Sequence, residues 1–158
     1  MYSGAHGYYK ALGNPIFSAQ NGTSYFALQY GAWTIVGLDS AYGSSSPLVM
    51  SGSISSTDGE SGATAQPTWL NGLGLSPQST IVLSHHNPIA YDGSAYVTDD
   101  LGDDLWAQVT GALNGAPAAC YWEHVHNGIV YPNPNTLLGA THGRCLGMGR
   151  FLLAMPGV

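Results

Sequence analysis

The sequence predicts an α/β fold, a mixed β-sheet with flanking helices, in one domain spanning residues 1–158. Three observations carry this expectation. "AWTIVGLDS" and "STIVLSHHNP" are short apolar, β-branched runs that stop abruptly in polar residues, as buried strands do. "TAQPTWLNGLGL" and "LGDDLWAQVTGALNG" carry helical signals: Pro67 in a first turn, and early aspartates where they complement a helix N-terminus. The resulting order, β-β-α-β-α-β-β-β, interleaves the two classes of element.

Taken in order, residues 1–23 are rich in Gly, Tyr, Asn and Ser, and read as irregular with a short helix near Tyr8–Leu12. "SYFALQYG" alternates and meets a glycine turn, so it forms a hairpin with the strand "AWTIVGLDS". Residues 41–62 are a Ser/Gly loop, long enough to be expected as mobile or functional. After the strand at 79–84 comes a polar loop over 87–99, then the second helix. "AACYWEHVH" and "NGIVYPN" are expected to pair with each other, and "NTLLGATHG" with "CLGMGRFLLAM" as a last strand pair.

Composition narrows the function. Only 8% of the residues are charged, and the bases are Lys10, Arg144 and Arg150. Nucleic-acid binding needs a dense set of phosphate-neutralising cations and is excluded on that ground; an anionic membrane surface is disfavoured likewise. No apolar run approaches the ~18 residues that span a bilayer, and no stretch ends in a signal-peptide pattern, so a soluble chain is expected. Such low charge is common in secreted or environmental bacterial proteins. Cys120 and Cys145 allow one disulfide but do not make a disulfide scaffold.

The six histidines stand out against this background, and four are clustered: His85 with His86, and His124 with His126. Neutral imidazole is the commonest metal ligand, offering a directed lone pair without charge. His85 sits just past a strand, and the i, i+2 spacing of His124 and His126 points both rings the same way on a strand or converges them at its end. These three are therefore the candidate metal ligands. His6, His86 and His142 read as hydrogen-bonded loop residues.

"TIVLSHHNP" and "WEHVHNGIVY" together resemble the histidine loop and the G-H-x-H motif of the calcineurin-like metallophosphoesterases. "AWTIVGLDS" is similar to that family's buried strand ending in Leu-Asp-Ser or Leu-Asp-Thr, and Gln66-Pro67-Thr68-Trp69-Leu70 to its Q-x-x-W-L helix. The likeness runs from about residue 1 to 150. It implies a hydrolase of phosphoesters that uses Zn, Mn or Fe, with His85 and His124 serving one metal and His126 the other. The family's D-x-H, G-D-x-x-D and G-N-H-[DE] motifs are absent, and Glu123 stands where the family has glycine. The chain thus looks like the C-terminal half of such a domain, beginning at an internal methionine, with an incomplete metal site.

A single divalent ion on His85, His124 and His126 would still suffice to lower the pKa of a bound water and polarise an ester oxygen. Glu123 or Asp92 is then the candidate general base, with His85 in the catalytic set. Three basic residues offer little to clamp a phosphate dianion, so carboxyl esters and lactones are the alternative substrates, and a metal-binding remnant without turnover is the second alternative. Asp92, Asp99, Asp100, Asp103 and Asp104 form an acidic stretch of a kind that suits calcium, although it reads better as a solvated helix start. A Ser84–His85–Asp39 triad can be drawn, but no G-x-S-x-G accompanies it. A half-domain would also expose apolar surface that the other half would cover, so a homodimer is expected.

Overall fold

In a computed structural model, the chain is described over residues 6–20, 22–41, 52–55, 65–91, 94–97, 103–124 and 128–147. It is α/β, as expected. Helix α1 (His6–Leu12) and a 3-10 turn precede the hairpin of β1 (Phe26–Tyr30) and β2 (Trp33–Gly37). Helix α2 (Ala65–Gly72) leads to β3 (Thr80–Leu83). A small hairpin, β4 (Ala90–Tyr91) with β5 (Tyr96–Val97), precedes α3 (Asp103–Leu113). The chain then forms β6 (Ala119–Trp122), β7 (Gly128–Val130) and β8 (His142–Leu146).

The main sheet has six strands in the order β1-β2-β3-β6-β8-β7. The inner strands β2, β3, β6 and β8 run parallel, and β1 and β7 close the edges antiparallel. Gly31, with φ 60°, turns the two-residue connection between β1 and β2, where an L side chain would be strained.

The chain steps across the sheet in one direction, from β2 through α2 to β3 and through α3 to β6. Parallel crossovers are right-handed, so successive steps in one direction put their helices on the same side. Strand alternation obeys this. Val36, Val82, Cys120, Trp122 and Cys145 point into the core, joined by Leu70 of α2 and by Leu105, Val109 and Leu113 of α3. The last three recur every four residues and make one stripe along the helix. Asn114 ends α3 in the left-handed region at φ 55°, and the next amide, that of Gly115, returns to the Thr110 carbonyl at 2.9 Å.

Two expectations about the last third fail. The segments expected to pair around residues 119–132 do not pair with each other. β6 and β7 lie on opposite sides of β8 and each pairs with it. "NTLLGATHG" is not a strand up to His142. Asn135 and Gly139 bridge across a turn, and the side chain of Asn135 accepts from the amides of Leu137 and Leu138. That turn drops Leu138 into the core beside Trp122 and Tyr131, covering the stretch of sheet beyond the reach of the helices. The partner expected for it extends past residue 147, outside the described residues.

Cys120 and Cys145 are both buried thiols in adjacent strands, without a disulfide. Burial disfavours the thiolate and pushes the Cys120 pKa from 9.0 up to about 12.

Two outcomes test this packing. Leu105→Ala removes a side chain only 1% exposed and should destabilise the fold by about 2–5 kcal/mol in urea unfolding. Below pH 9.0 Cys120 is protonated in both states and contributes no pH dependence. Above it the unfolded thiol ionises while the folded one does not. Stability should therefore fall as pH rises toward about 12, by roughly 1.4 kcal/mol per pH unit more in the wild type than in Cys120→Ala.

Candidate metal centre

The parallel strands do not stop in isolation at their C-terminal ends; their ladder continues into the loops. The Leu38 amide donates to the Leu83 carbonyl at 2.9 Å, and the Ser84 amide to the Tyr121 carbonyl at 3.0 Å. The amides of Glu123 and His124 then converge on the His85 carbonyl at 3.2 and 2.8 Å. This clamp holds the loop after β3 against the loop after β6. Side chains collect at such carboxyl ends of a parallel sheet because the diverging loops leave a crevice.

Three imidazoles meet there. One ligand atom from each of His85, His86 and His124 lies within 4.8 Å of the others. His85 Nε2 and His124 Nδ1 are 3.0 Å apart. Two nitrogens bound to one tetrahedral zinc at ~2.0–2.1 Å would be about 3.3 Å apart, so this pair needs to open by only a few tenths of an ångström. Their mutual hydrogen bond would be exchanged for coordination, with loss of the proton between them. Donor type and spacing both fit a borderline transition ion such as zinc.

The three rings have different surroundings. His85 is exposed, and its Nδ1 faces Glu123 Oε1 at 3.4 Å. That contact is long for a hydrogen bond, but it places a carboxylate beside the ring nitrogen on the far side of a candidate ligand. His86 is 1% exposed, and its Nδ1 lies 3.0 Å from Ser40 Oγ. The same hydroxyl accepts from the His86 amide at 3.1 Å. In the tautomer with the proton on Nδ1, the ring donates to this hydroxyl and Nε2 is the atom presented for coordination.

Ser40 is itself held from behind. The buried side chain of Gln66, on α2, accepts from the Asp39 amide at 3.0 Å and donates to the Asp39 carbonyl at 2.9 Å. Gly52 lies on the other side of His86. A Cβ at this glycine would stand 2.4 Å from His86 Cβ and 2.7 Å from Cγ, so no other residue fits without moving the ring. Gln108 of α3 secures that segment, accepting from the Ile54 amide at 2.8 Å while Ile54 enters the core. This part of the 41–62 loop is tied to the helical side of the sheet; its other residues, apart from Ala41, lie outside the described set.

Of the residues singled out in the sequence, the structure brings together His85, His124 and Glu123. His126 and Asp92 lie outside the described residues, as do Asp99 and Asp100; Asp103 opens α3. The drawn serine triad is not assembled. Ser84 Oγ donates to the His86 carbonyl at 2.8 Å, and Asp39 Oδ1 accepts from the Ala41 amide at 3.3 Å. His142 lies at the opposite end of the parallel strands, in register with Ala119, and contacts Asn133. His86 was set aside as a loop residue, yet it is the buried member of the cluster. The signal that pointed to it was its adjacency to His85.

Compared with known proteins, the chain matches no protein-family model and no curated sequence. The residues themselves therefore carry the reading of this centre.

Two substitutions probe its support. Ser40→Ala leaves the His86 ring without its hydroxyl partner and should weaken binding of a transition ion about 10–100-fold. Gly52→Ala should displace the ring and lower affinity at least as far, with the circular dichroism of the sheet retained. Calorimetric zinc titration reads both.

Proposed function

We propose that the chain binds one divalent transition ion through His85, His86 and His124 and hydrolyses ester bonds with it. The observation that carries this reading is the convergence of three imidazole ligand atoms within 4.8 Å at the carboxyl end of parallel strands. A bound ion would supply Lewis acidity and a water of lowered pKa. The protein's own part is to hold the ligands. Ser40 and Gly52 fix His86, the His85 carbonyl clamp fixes the two loops, and the Glu123 carboxylate stands beside His85 Nδ1. Glu123, 56% exposed, would serve as general base only through a water bridging it to the ion.

The resemblance of the two histidine loops to metallophosphoesterases makes phosphoesters the first substrate class, with His126 as a further ligand. Carboxyl esters or lactones are a second reading, supported by the scarcity of cations. Lys10 and Arg144 are the cations among the described residues. The Arg144 guanidinium is turned to the backbone carbonyls of Gly143, at 2.7 Å, and Tyr131, at 3.5 Å. Neither contact leaves it placed to clamp a phosphate.

The test combines stoichiometry with turnover. Purified protein should take up one zinc, manganese or iron ion per chain, and His86→Ala or His124→Ala should abolish that uptake. Hydrolysis of at least one among phosphomonoesters, phosphodiesters, aryl esters and lactones should disappear on chelation and return with the metal. Undiminished uptake in both variants would overturn the ligand set. Uptake without any hydrolysis would leave a metal-binding protein and remove the enzyme.

A further inference from the structure

Because both crossover helices lie on one side, the opposite face of the six-stranded sheet has no layer over it among the described residues. Register identifies that face. Leu28 is opposite Ile35, Ile35 opposite Ile81, and Leu83 opposite Tyr121; Arg144 then stands between Tyr121 and Val130. Large apolar side chains run along it from edge to edge. Leu28, Tyr30, Trp33, Leu83, Val130 and Leu146 are between 37% and 86% exposed. Scattered exposed leucines are ordinary, but a sheet face whose exposed side chains are mostly large and apolar marks an interface.

We propose that this face is a self-association surface, through which two copies of the chain pack sheet on sheet about a two-fold axis. Two observations select a second copy as the occupant. The first is area: the six side chains leave on the order of 700 Å² accessible, close to the ~800 Å² that each partner contributes to a standard interface. The second is charge. The chain carries a net charge of −6, yet no aspartate or glutamate stands on this face. Arg144 and His142 are its ionisable basic groups, so two identical faces meet without opposing carboxylates.

The described part of the 41–62 loop does not compete for this face, because Ile54 is in the core on the helical side. The metal centre lies at the strand ends rather than on the face, so self-association and metal uptake are separable.

Sedimentation of the full chain at micromolar concentration should give twice the 16.5 kDa mass of one chain. Leu28→Lys and Val130→Lys, both at exposed positions, should each return it to a single-chain mass with unchanged circular dichroism. Tyr30→Ser, a polar change at an 86% exposed edge position, serves as a milder variant should either lysine disturb folding. Three results would overturn the proposal: a monomeric wild type, a double mass that survives all three face variants, and open-ended aggregation. A monomer that binds an apolar dye would assign the face to a different polypeptide.

Discussion

The handedness of parallel crossovers shapes this molecule more than any single contact. Two successive steps in one direction commit α2 and α3 to one side of the sheet. Everything else must then be arranged around an asymmetric pair of faces. The helical face receives the aliphatic stripe of α3, the paired aromatics Trp122 and Tyr131, and the turn bearing Leu138. The other face keeps strand alternation but has no partner layer among the described residues. The same parallel direction brings the carboxyl ends of β2, β3 and β6 to one edge, where the ladder of backbone bonds outlasts the strands and brings the histidine loops together. One rule of chain direction thus produces both the bare face and the site.

At that edge, the fold and the candidate metal centre share residues. Gln66 contributes to the fold by satisfying two backbone groups of Asp39, and the same bonds place Ser40 where it engages His86. Gln108 anchors Ile54 and so brings Gly52 onto the His86 ring. Each helix therefore reaches the centre through one glutamine: α2 from the Ser40 side and α3 from the Gly52 side. A buried imidazole held from two sides is preorganised in a way that an exposed one such as His85 is not. The centre is accordingly rigid on the core side and adjustable toward solvent.

Much of this was legible in the sequence, for reasons particular residues make plain. "TIVL" and "WTIVG" announce themselves because a strand buried in the middle of a sheet is apolar along most of its length. Pro67 and the Asn114-Gly115 pair mark helix ends through backbone constraints that are local. Pairing is not local, and there the reading failed. Nothing within "YWEHVHNGIVY" says that β8 will come between β6 and β7. His86 was missed for a related reason. Two adjacent residues leaving a strand diverge, so one histidine went outward and the other inward, and only the packing of Ser40 and Gly52 gives the inward one a role. Gly52 was hidden altogether, since a glycine in a serine-rich loop carries no periodicity that would reveal a close approach.

The two thiols give the sheet a built-in clock. Cys120 and Cys145 sit in neighbouring inner strands, both buried in the core, and the thiolate that alkylating reagents require is suppressed at Cys120 by burial. Modification must wait for the layers to part. The rate at which a small reagent labels these sulfurs therefore counts opening events of the central sheet, separately from any movement of the loops at its edge.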